Sequence, residues 1–208
     1  MILLTRREVL ANAACLALSV AASWTLSPTN AQELSADGAT IERWIKQSFS
    51  GSRKETYGGE YLGRFLEPMY YLRRPINWEP NPDQSQLIPV HVPVGFVTDF
   101  GSVPRAYWSF LRPDPFNSFP ALIHEYLYWT QVTTRDMADD IFRAVLEELD
   151  IGVDATEAIY REIRLLGIKA WEKNGLLRSQ GEKRILRRFP DSPSVKWEEW
   201  KKRPDVFA

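Results

Sequence analysis

The spacing of apolar residues changes several times along this chain, and each change marks an element. Residues 11–26 form one apolar run rich in Ala and Ser. Residues 32–59 are polar except for an amphipathic stretch at 41–49, and read as a linker with one short helix. From 61 to 78 aromatic and apolar side chains dominate, punctuated by Pro68 and Pro75. Aromatics suit a pleated, half-buried surface, so the second half of this run predicts strand. Asn81-Pro82-Asp83 is a turn signal. Residues 87–98 predict strand again. Pro89 and Pro93 lack the backbone donor that a ladder needs, which places this strand at an edge or a bulge. Two strands around a Pro-rich turn predict a hairpin.

After Asp99 the period becomes helical. Residues 105–111 predict a short helix. Residues 121–129, Ala-Leu-Ile-His-Glu-Tyr-Leu-Tyr-Trp, are apolar on every side except at His124 and Glu125. Ser118 as N-cap and Pro120 in the first turn would open that helix. Thr133-Thr134-Arg135-Asp136 has capping-box spacing with Asp in place of Glu, and starts a second helix to about 149. Its buried stripe is Ala138, Ile141, Phe142, Val145 and Leu149. Ile151-Gly152-Val153-Asp154 ends it, and Asp154 caps a third helix to about Lys173. Ile159, Ile163, Leu166, Gly167 and Ala170 face inward there. The tail, 174–208, is charged and broken by Pro190, Pro193 and Pro204. Its Trp197 and Trp200 predict a strap laid on the body, because interleaved Glu weakens a membrane or nucleic-acid patch. The expected fold is α+β: a small antiparallel Pro-rich sheet or hairpin packed on about three helices, in one domain over 60–173.

Composition adds limits. Of 208 residues, 44% are hydrophobic and 25% charged, an ordinary globular balance. The net charge of -1 gives no global field to recruit nucleic acid or anionic lipid. Arg6-Arg7, the mild apolar run and the small residues ending in Ala31 describe an export signal over 1–31. It resembles a bacterial twin-arginine signal, which implies a periplasmic or secreted protein. An uncleaved N-terminal anchor is the alternative. Asn12 and the Ala-rich composition make the run a poor permanent span. The single cysteine, Cys15, lies inside this signal, so the mature chain would have no disulfide and no thiolate chemistry.

The chemistry centres on His124 and Glu125. A buried imidazole or carboxylate costs several kcal/mol unless it meets polar groups, water or a cation. Adjacent helical positions lie about 100° apart, so the two serve different spaces. The next helix returns after a short loop, and Asp139 sits at the border of its apolar stripe, with Asp136 and Asp140 further round. Asp139 is therefore the acid best placed to reach His124. Such a pair is either a satisfied core contact or a base whose second nitrogen is free to act. A zinc site of His-Glu-x-x-His type is discounted, because the fifth position is Tyr128 and the other histidine, His91, lies in the hairpin. A hard cation such as calcium is the better metal, held by Glu125, Asp99 and backbone carbonyls. The loop 95–105 carries Gly95, Gly101, Asp99 and Ser102 after a strand, so backbone can approach a ligand there. Ser102 is read as a turn former rather than a nucleophile, because its setting is not Gly-x-Ser-x-Gly.

Three segments together resemble one family: 92–105 (VPVGFVTDFGSVPR), 124–128 (HEYLY) and 134–142 (TRDMADDIF). The family is domain of unknown function 1353, found in bacteria and tailed phages. Its marks are a Gly-Phe-x-Thr-Asp-x-x-Ser-x-Pro stretch, a His-Asp-x-x-Tyr helix and an Ala-Asp-x-x-Phe helix. The resemblance covers roughly 65–171 and departs at Glu125, where the family usually has Asp, and at Gly101, where Ala is common. It implies no established activity. His-Asp-x-x-Tyr with an Asp on the returning helix is also similar to secreted phospholipase A2 enzymes. That likeness implies a calcium-assisted hydrolase of ester or lipid substrates. His124 would be the base, Asp139 its orienter, Tyr128 the motif tyrosine and Glu125 a calcium ligand, with the Asp99–Ser102 loop adding contacts. The alternative is a non-catalytic secreted or envelope module, in which these residues form a structural polar cluster.

Export is testable directly. N-terminal sequencing of material recovered outside the cytoplasm is expected to begin near Gln32; an intact Met1 would rule out cleavage.

Overall fold

The computed structural model describes residues 61–103 and 118–208. The export signal, the 32–59 linker with its helix at 41–49, and the helix expected at 105–111 lie outside the described residues. Within them are five short strands: β1 (Leu62–Arg64), β2 (Tyr70–Leu72), β3 (Ile76–Trp78), β4 (Val90–Val92) and β5 (Val97–Thr98). Four helices follow: α1 (Phe119–Thr130), α2 (Arg135–Glu148), α3 (Val153–Ser179) and α4 (Trp197–Trp200). The class is α+β, as the spacing predicts. No helix among the described residues is long and apolar enough to cross a membrane.

The strands form two antiparallel sheets rather than one hairpin. β3 and β4 make the expected hairpin, with Ile76 opposite Val92 and Trp78 opposite Val90. β1, β2 and β5 form a three-stranded sheet in that order. Pro93 divides the predicted 87–98 strand. After it the chain turns at Gly95, whose φ is +87°, and β5 pairs with β2 instead of extending β4. The tail joins this sheet as well. Val97 N–H donates to Arg184 O at 2.8 Å, and Leu186 N–H donates to Gly95 O at 2.9 Å. β5 is thus covered on both edges, which removes a template for aggregation.

The helices follow their apolar patterns. α1 is buried on nearly every side, Tyr126 being half-buried. α2 buries the expected stripe, and its N-cap is Thr134, whose hydroxyl accepts from Met137 N–H at 3.2 Å. The cap therefore sits one residue later than the capping-box spacing places it. Ser118 occupies the N-cap of α1, but its side chain does not cap the helix. Gly152, not Asp154, is the N-cap of α3, and Asp154 falls in the first turn. α3 runs to Ser179, beyond the expected end at Lys173. Ile159, Ile163 and Gly167 are buried on it, but Leu166 is 56% exposed. The buried stripe of α3 is narrow, and Leu166 sits at its border beside a pocket.

One core joins both sheets to α1, α2 and α3; a second gathers Phe65, Tyr71, Val97, Leu186, Trp197, Trp200 and Val206. The strap prediction holds: both strap tryptophans are buried in this second core.

Gly95 is the residue on which the turn between the sheets depends. A Cβ there would overlap the carbonyl oxygen of Leu186 in a backbone region that L side chains rarely adopt. Gly95→Ala is expected to cost about 2 kcal/mol or more in urea unfolding, through strain and the lost Leu186 contact.

Candidate functional site

His124 and Glu125 are both buried, and as expected they face different spaces. His124 points at α2. Its Nε2 lies 3.0 Å from Asp139 Oδ1. Tyr128, one turn along α1, donates its hydroxyl to the same oxygen at 2.7 Å. The other oxygen, Oδ2, accepts from Arg135 Nη1 at 3.0 Å and from Arg164 Nη1 at 3.1 Å. Arg164 also donates to Asp136 Oδ1 at 2.5 Å. Four donors on one buried carboxylate come from three helices. Burial alone would raise the Asp139 pKa; the bonds from His124, Tyr128 and Arg164 outweigh it and hold the carboxyl below its usual range. Burial and the Asp139 bond push the Tyr128 phenol well up. Room for that phenol comes from Gly167 on α3, where a Cβ would overlap the Tyr128 hydroxyl.

Glu125 points the other way, into the loop after β5. Its Oε2 accepts from Thr98 Oγ1 at 3.0 Å, and its Oε1 accepts from both the N–H and the hydroxyl of Ser102, each at 2.5 Å. Thr98 Oγ1 in turn accepts from Phe100 N–H at 2.9 Å, and Asp99 Oδ1 accepts from Gly101 N–H at 3.1 Å. Phe100 has φ +55°, uncommon for a bulky residue. Its ring is buried edge-on to Tyr70 at 5.5 Å, and these bonds hold the strained turn. Burial, and then the negative charge of Asp99, raise the Glu125 pKa.

The two halves meet at Ser102. Its Oγ lies 3.0 Å from His124 Nδ1. An ionised Asp139 only accepts, so His124 Nε2 carries its hydrogen, and Glu125 Oε1 and His124 Nδ1 are alternative acceptors for the single hydrogen of Ser102 Oγ. A continuous path thus runs Ser102 Oγ, His124, Asp139. The nitrogen expected to be free faces this serine. The turn-forming role expected of Ser102 is only part of its position. Ser102, Glu125, Asp99 and Gly101 line a pocket of about 240 Å³ against α3, opposite Lys169, Lys173 and Asn174. His124 and Asp139 lie behind it, with no exposed surface.

Tyr128 contacts Asp139 and lies tilted against the His124 ring, centroids 4.0 Å apart, so it positions the pair rather than facing the pocket. Asp99 reaches the pocket rim, 3.9 Å from Arg184. Calcium takes about six to eight oxygens. Glu125 spends both of its oxygens on Thr98 and Ser102, and among the described residues no group of three His, Cys, Asp or Glu comes together to hold a metal. Ser102 as a partner of His124 is not among the sequence expectations, nor are Thr98, Arg135 and Arg164. Arg135 was legible as the i−4 neighbour of Asp139; the others arrive through tertiary packing.

Residues 79–163 match the family model described as Protein of unknown function (DUF1353). The match bears out that resemblance over a shorter span than the expected 65–171. It contains all three motifs, with Ser102, His124, Glu125, Tyr128 and Asp139, and ends one residue before Arg164. No curated protein and no solved structure matches the chain. Nothing in these comparisons carries the phospholipase-like arrangement.

The two carboxylates give stability opposite pH dependences. The Glu125 pKa is raised above its ordinary 4.5, so the folded state holds that proton longer than the unfolded state. Stability is then expected to fall as pH rises through the folded value, and Glu125→Gln should flatten that limb. Asp139 is lowered, so its contribution is present above the ordinary Asp range and lost as pH falls through its folded value. Urea midpoints across the acid-to-neutral range check both limbs.

Proposed function

We propose that the protein is an exported hydrolase of ester-type acyl bonds, with Ser102 as nucleophile, His124 as base and Asp139 as orienter. The observation that supports this is the path from Ser102 Oγ to His124 Nδ1 to Asp139, in two steps of 3.0 Å, with only its serine end at the pocket. Export is supported by the twin-arginine pattern of 1–31.

The chemistry follows from the proton positions. Ser102 Oγ attacks the carbonyl carbon and its proton passes to His124 Nδ1. The imidazolium so formed is stabilised by Asp139, whose carboxylate two arginines and Tyr128 keep ionised. His124 then returns the proton to the leaving oxygen. Water, deprotonated by the same nitrogen, releases the acyl group and restores Ser102. The N–H groups of Gly101 and Ser102 are engaged by Asp99 and Glu125. The donors for developing negative charge are therefore those of the facing wall: Lys169, Lys173 and Asn174. Glu125 controls the nucleophile. The serine has one hydrogen and two acceptors, and a protonated Glu125 leaves that hydrogen to His124.

The rival reading is a non-catalytic module in which this network only holds the loop to α1 and α2. The full burial of His124 and Asp139 favours it. In the phospholipase-like version, Glu125 and Asp99 would hold calcium and His124 would activate water.

Hydrolysis of short-chain aryl esters, together with labelling by a fluorophosphonate probe, separates the three. The serine mechanism expects Ser102→Ala and His124→Gln each to lower kcat/KM by about a thousandfold. It also expects labelling at Ser102 and no thermal shift with millimolar calcium. Equal rates in parent and variants, without labelling, leave the module reading. A calcium-dependent rate that survives Ser102→Ala leaves the phospholipase-like one.

A further inference from the structure

A second pocket, of about 530 Å³, lies between the end of α3 and the C-terminal strap. Its wall carries Lys183, Lys201, Lys202 and Arg203, against the single acid Glu182. Leu177 and Phe207 supply apolar surface. We propose that this pocket binds a phosphate-bearing anion.

The cations of this pocket are held unequally. Lys201 is neutralised, lying 2.7 Å from Glu198 and 3.7 Å from Glu182. Glu182 is also drawn to Arg184, at 3.0 Å. Among the described residues, no acid stands within ion-pair distance of Lys183, Lys202 or Arg203. Three positive charges therefore share one concave space without compensation, an arrangement whose self-repulsion an anion relieves. Arg203 is fixed as well as charged, because its guanidinium sits 4.6 Å over the Trp200 ring. The Trp200 ring is buried in the second core, so this cation is held before any ligand arrives.

The pocket walls are equally built. On one side the chain leaves α3 through Gly181, at φ +87°. On the other, the last residues return along 185–188: Leu186 bridges Phe207, Ala208 N–H donates to Ile185 O at 2.9 Å, and Arg187 N–H donates to Val206 O at 2.9 Å. Two cations on flexible stems, one planar guanidinium and an apolar floor suit a phosphate attached to an organic group. A lipid headgroup and a soluble phosphate share that chemistry.

The test uses the whole protein, with inorganic pyrophosphate by calorimetry and phosphatidylglycerol vesicles by co-sedimentation. The triple variant Lys183→Gln, Lys202→Gln, Arg203→Gln removes the uncompensated charges, and Lys196→Gln serves as a strap control outside the pocket. Binding to at least one probe is expected, weakened at least about tenfold in the triple variant, unchanged in the control, and weakened by added salt. Pyrophosphate binding alone names a soluble phosphate as the source; vesicle binding alone names a headgroup. Binding of neither probe overturns the site, and so does equal loss in Lys196→Gln. Thermal melting of the triple variant separates loss of a site from loss of the fold.

Discussion

The Asp139 carboxylate is the point on which the helical half of the molecule turns. It has no exposed surface, yet it stays ionised because α1 supplies His124 and Tyr128, its own helix supplies Arg135, and α3 supplies Arg164. A buried charge stripped of such partners costs several kcal/mol. The three helices are therefore tied not only by apolar packing but by a polar joint that tolerates little change in their spacing. Gly167 shows the tolerance, because even a methyl group there displaces the Tyr128 hydroxyl.

From this joint the order passes outward through His124 to Ser102, and from Ser102 to the strained turn after β5. Glu125 closes the circuit from the other side. The same helix thus fixes one end of the network to α2 and the other to the sheet, through two adjacent residues about 100° apart. The polar cluster and the fold are one construction. The pocket beside Ser102 thus has a hydrogen-bonded floor, whereas its α3 wall carries the exposed Lys169 and Lys173.

Much of this was legible in the residues. Periodicity marked all three long helices, and wheel geometry chose Asp139 over Asp136 and Asp140 as the partner of His124. It worked there because both residues lie on regular helices joined by a short loop. It failed at Ser102 and Thr98, which meet α1 through a turn whose path depends on Phe100 in a left-handed conformation. No local pattern announces that conformation in a phenylalanine. Arg164 was equally hidden: it lies on a third helix whose rotation is set by its narrow buried stripe. The strands were placed in the right regions, but their sharing between two sheets depends on Pro93 and Gly95 together with the distant tail.

The tail's place in the sheet has a consequence for the order of folding. β5 takes one set of backbone partners from 184–186, and those residues are pinned in turn by 206–208. The helices and the β3–β4 hairpin form from near neighbours along the chain, whereas the strip that seals β5 comes from far away in the sequence. The turn bearing Ser102 is thus sealed only once that distant strip has docked. A chain cut short before its final turn would carry the pocket's residues on an unsealed edge.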